Sequence, residues 1–563
     1  MSFVDSMMGG GNSALKAPCL RAWNVVFWCF IFLYAFLVVI NANLSVIDDH
    51  TFTKTLFIGE EIPFFINAEI GRFYPLDGQE LNILSALFGA NASVFYAFNA
   101  LCVILVAFCL AYALPVFFAM IDDNTHATPQ AKQNFARYQI ISYALIALVL
   151  CAPSFVTSFL RLFVPERMEF VFFSIFLASY AFVLKNPHKQ SASFALVLGV
   201  LSATIALYYK ETGFAMLFVF AFLHFVLSFK YSHFRVKILD IALMLTSIIW
   251  VLVYVFVVVL QKEGSGAYGD TPYNQLIVLL KIAFSYSLNE PFLLLVLPCL
   301  FVYRIYDVFI KKQPFNALLD SSLCAALVLV AEYLVLRIGD VHYVLIAYIF
   351  GLIALGGWIL NFLKLKFFKL LLIVACIVFV FNSLPFSLSQ YAHYKVVPNG
   401  FQQILDFLSK YIKEHPHTNI YLEGVNRASG VEVYVSLAEW LNHYGANVFD
   451  LQSDLTIDNS ILGKPKPESP YSVFRSNDIV PKQSGDIVIL SPYMTFEFSN
   501  ALLEKLDSKY ERLFESDFGY NFPRLGIKSF IKYFGKQYAG EGEIMLSKNS
   551  FGLPLKFYVY RVR

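Results

Sequence analysis

Charge is what this sequence has least of. Charged side chains make up 15% of the 563 residues, against 58% hydrophobic, and phenylalanine alone occurs 59 times. Soluble domains carry about a quarter charged residues, so a water-facing globular fold is excluded, and the mean hydropathy of +0.62 agrees. Charge of one sign is lacking too. The formal net charge of +2 offers no basic face, which excludes a nucleic-acid binder. Cysteine is absent from the polar stretch after the last apolar run, since all eight lie at or before Cys376. That stretch therefore has no disulfide scaffold, even if exported. No CxxC or Cys/His ligand spacing occurs, which argues against a structural zinc site. No small-residue cleavage signature follows the first apolar run, so the run reads as a retained helix and not a signal peptide.

What remains is a series of apolar runs of about 20 residues, each long enough to cross a bilayer as a helix. They lie near 22–41, 93–118, 138–158, 168–184, 192–209, 213–229, 238–260, 291–309, 317–336, 341–361 and 368–386. The stretch 261–290 opens with glycine-rich loop chemistry and continues as a short amphipathic run, which predicts an interfacial helix. Past Pro385 the composition changes. Helix-like stretches (FQQILDFLSKYIKEH, VEVYVSLAEWLNHYG, NALLEKLDSKYERL) alternate with strand-like ones (NIYLEG, NVFDL, DIVILSP, LKFYVYRV), a pattern that predicts a small α/β domain. The expected architecture is a polytopic α-helical membrane protein of about eleven spans. Residues 1–390 form its transmembrane part and 391–563 an exported α/β domain. Lysine and arginine favour one set of loops by about two to one, which places the N-terminus in the cytoplasm. An odd number of spans then puts the C-terminal domain outside.

The outer face collects the residues that carry chemistry. Between the first two spans, Asn43 to Leu84 holds the doublet Asp48–Asp49 where the chain leaves the membrane, then Glu60–Glu61, then Gly71-Arg72-Phe73-Tyr74. The same face receives Arg161 and Pro165-Glu166-Arg167-Met168-Glu169. It also receives Lys210-Glu211-Thr212-Gly213 and Arg337 with Asp340-Val341-His342-Tyr343. Each alone matches a snorkelling side chain at a helix end. As a set they bring cations to headgroup level, where two or three charge-assisted contacts hold a phosphate. Carboxylates beside such cations suit group transfer from a lipid phosphate. A carboxylate removes a proton from an acceptor hydroxyl, and basic groups stabilise the departing phosphate. A carboxylate near a phosphodiester needs an intervening cation. Lys210, Arg337 or a divalent metal such as Mg or Mn held by acidic oxygens, Glu60 and Glu61 among them, all fit that need.

In order and spacing these elements resemble the GT-C superfamily of integral-membrane glycosyltransferases: the acidic doublet after the first span, Gly71-Arg72-Phe73, Pro165-Glu166-Arg167-Met168-Glu169, Lys210-Glu211-Thr212-Gly213, about eleven spans and a polar tail. The resemblance covers roughly residues 20–390 and is greatest to bacterial members of the O-antigen glucosyltransferase, aminoarabinose transferase and mannosyl transferase types. It implies an inverting enzyme of the bacterial inner membrane with a periplasmic C-terminal domain. Such an enzyme draws on a polyprenyl-phosphate sugar and modifies an envelope glycan such as lipopolysaccharide, a lipid or a protein. Asp48 or Asp49 would be the general base, with Asp48 preferred. Lys210 and Arg337 would contact the donor phosphate, Glu211 would orient Lys210, and Arg72 would order the loop. Arg161, Arg167, Glu169, His342 and Tyr343 complete the expected substrate-binding set. Two other readings stand beside it: a transporter or flippase of a lipid-linked or anionic substrate, and an envelope scaffold that presents the tail. Transporters put ionisable groups near the bilayer midplane, whereas here they gather at the outer mouth.

Overall fold

Long apolar segments satisfy their backbone groups internally, and in a membrane that means helix. The computed structural model describes residues 17–44, 55–69, 71–122, 129–262, 274–416, 418–422, 428–446, 450–453, 481–491, 500–517, 527 and 556–563. In chain order the first half contains α1 (Ala17–Val39), the strand pair β1 (Phe65–Asn67) and β2 (Arg72–Tyr74), α2 (Gln79–Phe88), α3 (Ala92–Ile121) and α4 (Pro129–Leu150). There follow α5 (Pro153–Phe159), α6 (Pro165–Lys185), α7 (Ser191–Tyr209), α8 (Gly213–Ser228), α9 (Phe234–Val257) and α10 (Gln275–Asn289). The remaining helices of the bundle are α11 (Leu297–Ile305, between two π-turns), α12 (Ala317–Val335), α13 (Ala347–Asn361), α14 (Lys366–Val378) and α15 (Leu384–Glu414).

Among the described residues nine helical segments are long and apolar enough to cross a membrane. A tenth arises if 134–150 and Pro153–Phe159, bent by 64°, count as one span. The bend sits where Pro153 restricts the residue before it and starts a new helix. The expected sixth span is α8, apolar but only 16 residues long. The expected interfacial run is α10. Side chains facing away from the bundle are apolar and open, Phe36, Leu101, Phe108, Phe194 and Phe256 among them, as contact with lipid requires. At the centre lies α13, buried on nearly every side. It packs so tightly on α3 that a β-carbon on Gly356 would overlap the Phe118 ring.

The last helix, α15, runs without interruption from the bundle into the C-terminal region, through the compositional change at Pro385, because proline in a first turn starts a helix rather than ending one. Beyond it come β3 (Asn419–Leu422), α16 (Ala428–His443), β4 (Asp450–Ser453), β5 (Ile487–Leu490), α17 (Asn500–Lys509), β6 (Tyr510–Glu515) and β7 (Tyr558–Val562). The five strands form one mixed sheet in the order β4-β3-β5-β7-β6. There β3 runs parallel to β4 and β5, and β7 runs antiparallel to β5 and β6. Side chains alternate across it. Ile420, Leu422, Ile487, Ile489 and Val559 join the core that contains Ile404, Leu405 and Leu408 of α15, while Tyr421, Val488, Leu490, Tyr558 and Tyr560 pack on the other face with Leu506. Sequence periodicity predicts a helix through Tyr510-Glu511-Arg512-Leu513; the structure instead ends the helix at Lys509 and makes these residues strand β6. Pairing of Tyr510 with Val562 and Arg512 with Tyr560 overrides local propensity.

Candidate active site

The loop between α1 and α3 folds back onto one end of the bundle. Gly71, at φ +74°, turns the chain between β1 and β2 in a conformation glycine adopts without strain, and its carbonyl accepts from the Tyr254 hydroxyl at 2.9 Å. The Phe65 and Tyr74 rings stack 4.2 Å apart across the hairpin, and the Leu76 amide donates to the Tyr208 carbonyl at 3.2 Å. Asn82 of α2 then grips the chain ahead of the hairpin, accepting from the Ile62 amide at 2.8 Å and donating to its carbonyl at 3.0 Å. These contacts hold Arg72 and Tyr74 against the turn that joins α7 to α8.

Lys210 occupies that turn. Its ammonium is buried, 3.0 Å from Glu166 Oε1 in the first turn of α6. It also lies 4.7 Å and 5.2 Å from the ring centres of Tyr343 and Tyr74. The next residue, Glu211, pairs with Arg72 at 2.9 Å. Thr212 Oγ1 lies 2.5 Å from the Tyr333 hydroxyl. Gly213 permits close approach: a β-carbon there would stand 2.5 Å from Glu169 Oε1 and 3.2 Å from the Phe173 ring, so the Glu169 carboxylate would have to move aside. The resemblance implied that Glu211 orients Lys210. The structure gives the direct contact with Lys210 to Glu166, one helical turn before Glu169, and sets Glu211 on Arg72. Among the described residues, both oxygens of the fully buried Glu169 lack hydrogen-bond partners, as do Glu211 Oε2, Glu332 Oε2 and Arg337 Nη1. Burial lowers the Lys210 pKa and the adjacent Glu166 and Glu211 carboxylates raise it; the carboxylates win, so Lys210 stays a cation. Arg72 is held above its usual range in the same way, by Glu211 against burial, and burial pushes the Tyr74 hydroxyl up to about 12.

A second network lies beneath. Arg167 is fully buried and bonds Asn99 of α3 and Glu80 of α2, whose other oxygen accepts from Tyr209 at 3.4 Å. Burial raises the Glu80 pKa although Arg167 opposes it. Burial and then Glu80 raise that of Asp77 well above the usual carboxylate range.

Beside Lys210, a cavity of about 300 Å³ opens between α5, α10, the loop before α13 and α15. Arg161, Asp340, His342, Asn289, Gln390 and Tyr394 give it a polar wall. His342 lines this cavity while the adjacent Tyr343 ring faces Lys210, so the cavity adjoins the Lys210 cluster.

No family model matches the chain, and no curated protein is similar to it in sequence. Among solved structures it is similar to the crystal structure of ArnT from Cupriavidus metallidurans bound to undecaprenyl phosphate. The superposition covers 88% of this chain and 96% of that one at 11% identity, with a TM-score of 0.42.

Of the residues singled out from sequence, Arg72, Glu169, Lys210, Glu211 and Tyr343 meet in one cluster. Arg161 and His342 line the adjoining cavity. Arg337 follows α12 at φ +58°, in the same end of the bundle. Arg167 faces the other way, into the Glu80–Asn99 network. Glu60 and Glu61 are exposed ahead of β1. Asp48 and Asp49 lie outside the described residues. Among the described residues no group of three or more His, Cys, Asp or Glu side chains is arranged to hold a metal ion. Glu166, Tyr74, Asp77, Glu80 and Glu332 have no role assigned from sequence alone. The signal for Glu332 was there, because an ionisable residue inside an apolar span marks function by default. Glu166 lies within Pro165-Glu166-Arg167-Met168-Glu169, one position before Arg167.

Proposed function

We propose that the protein is an inverting glycosyltransferase. It moves a sugar from a polyprenyl-phosphate donor to an envelope glycan, lipid or protein on the membrane face that carries the C-terminal region. The observation that supports this most is the buried Lys210 ammonium at the end of the helix bundle. Carboxylates and two tyrosine rings hold it there, with Arg72 beside it and a polar cavity alongside. A lipid phosphate presented at headgroup depth meets a cation already desolvated and oriented, so little reorganisation is needed as charge develops on the leaving group.

In this reading Asp48 or Asp49 takes the proton from an acceptor hydroxyl. The freed oxygen attacks the anomeric carbon opposite the phosphate, the glycosidic bond forms as the sugar–phosphate bond breaks, and a single displacement inverts the centre. Polyprenyl phosphate departs with its added charge balanced by Lys210, helped by Arg337. A divalent cation is the other way to balance that charge, and a chelator distinguishes the two by abolishing turnover only if the metal carries it. The membrane is the bacterial inner membrane, with the N-terminus cytoplasmic and 391–563 a periplasmic domain.

The test is release of polyprenyl phosphate by the purified protein in lipid, offered a panel of polyprenyl-phosphate sugars and mixed envelope glycans. Wild type is expected to release it, and one of Asp48→Asn and Asp49→Asn is expected to stop release while donor binding persists. Release unaffected by either substitution would remove the base from this doublet. No release with any donor and acceptor would refute the reaction.

A further inference from the structure

The two halves of α2 face different surroundings. In its first turn Glu80 bonds the fully buried Arg167 of α6, and Leu81 lies in the core. Just ahead of it the Leu76 amide donates to the Tyr208 carbonyl of α7, and Asn82 and Gln79 both donate to the Ile62 carbonyl, at 3.0 and 3.1 Å. Past Asn82 the helix stands clear of the bundle. Ile83, Leu87 and Phe88 are 62%, 68% and 65% exposed, and Ala86 is open as well. Ile83 and Leu87, four residues apart, share one face. Gly89 closes the helix, its amide donating to the Ser85 carbonyl at 2.8 Å, and α3 begins at Ala92.

The level of this free end follows from what it is joined to. Its partners in α6 and α7 stand at the ends of two membrane spans. The 30 residues of α3 rise about 45 Å, about the thickness of a bilayer with both headgroup layers. The first turn of α3 is therefore at headgroup level, and the end of α2 with it. No charged residue occurs between Glu80 and Asp122, so the free half of α2 belongs to the same uncharged run as the span. That span is open toward lipid at Leu101 and Phe108. A cluster of large apolar side chains is costly in water and suits the boundary between headgroups and acyl chains, where interfacial helices bury their apolar side chains. We infer that the second half of α2 is a membrane-docking surface, with Ile83, Leu87 and Phe88 seated in that boundary on the membrane face that carries Lys210. Its first half passes the depth on, through Glu80 to Arg167 and through Asn82 to the chain ahead of β1, so the hairpin that bears Arg72 is held level with the leaflet. Docking does not rest on the function proposed above.

The experiment uses the full-length protein in nanodiscs of phosphatidylethanolamine and phosphatidylglycerol, with p-benzoylphenylalanine placed singly at Leu87, Phe88, Phe108 or Glu61. On irradiation this side chain bonds to the C–H groups it touches. Phe108 faces outward from the middle of a span and Glu61 is exposed ahead of β1, so the two bracket the result. Lipid adducts at Leu87 and Phe88 are expected at about the yield of Phe108 and several-fold above that of Glu61. Yields no higher than at Glu61 would overturn the docking. A cross-link to a second copy of the chain in place of lipid would overturn it too, and give the surface to a dimer. The double variant Leu87→Asp, Phe88→Asp then puts charge where the leaflet would have to accept it. Faster amide exchange in β1 and β2 is expected, with exchange in β3, β5 and β7 unchanged. Unchanged exchange in β1 and β2 would overturn the link from the docking surface to the hairpin.

Discussion

Replacing Lys210 by methionine tests whether the buried pair at the centre of the site serves the fold, the chemistry or both. The substitution leaves the fully buried Glu166 carboxylate without the cation 3.0 Å away. Removing one partner of a buried ion pair costs about 3–5 kcal/mol, because the remaining charge is desolvated and unmatched. The two ring contacts at 4.7 and 5.2 Å add on the order of 1 kcal/mol each. Against a total stability of roughly 5–15 kcal/mol, Lys210→Met stands close to unfolding. Adding Glu166→Gln removes the orphaned charge and should return most of that loss, since a neutral amide in the same place is far cheaper to bury. Transfer should not return with it. Loss of one preorganised electrostatic contact to the leaving group costs about 2.7–4 kcal/mol in the transition state, or about 10²–10³ in kcat. Thermal unfolding in nanodiscs and release of polyprenyl phosphate measure the two arms. A double variant that is stable and also turns over within about threefold of wild type would refute a role for Lys210 in the reaction. A Lys210→Met single variant as stable as wild type would refute the argument from burial.

Asp77 supplies a pH test. Its folded pKa is raised by burial first and Glu80 second. Its contribution to stability is therefore full below the unfolded value of about 3.9 and is lost as pH rises through the folded one. Asp77→Asn should match wild type near pH 4 and exceed it increasingly toward pH 8 in thermal unfolding; a gap independent of pH would contradict this. Gly213→Ala should displace the Glu169 carboxylate, whose oxygen would lie 2.5 Å from the new carbon. Transfer should fall with little change in melting temperature, because the displaced group is the tip of a flexible side chain. Gly356→Ala has no such escape, since the Phe118 ring is packed in the core. A loss of about 1–3 kcal/mol or more, measured by unfolding, is expected.

The spans were readable because an apolar run of bilayer length is a one-dimensional signal. The runs at 192–209 and 317–336 coincide with Ser191–Tyr209 and Ala317–Val335 within a residue. The break before Pro153 and the continuation of α15 past Pro385 were not readable, because the same residue that ends one helix can open another. At the site, Lys210-Glu211-Thr212-Gly213 stood out as charge among apolar neighbours, but its pairing did not. Glu166 and Arg167 are adjacent in sequence, yet consecutive helical side chains point about 100° apart. One therefore meets Lys210 and the other Glu80. Glu80 itself resembled any loop acid until the loop folded back into the bundle.

The brevity of α8 has a consequence for how a lipid reaches the site. At about 1.5 Å per residue, its 16 residues reach roughly 24 Å, about 6 Å less than a bilayer's hydrocarbon layer, and it is not among the helices long enough to span one. Either the bilayer pinches around this helix or the turn at Lys210 sinks beneath the level of its neighbours. Where the bilayer thins, the headgroup of an adjacent lipid comes closer to the level of the ammonium without leaving its leaflet, along the plane of the membrane. The depth of the turn then becomes a property shared between protein and bilayer, and under the proposed function thicker membranes should slow transfer without touching any residue of the site.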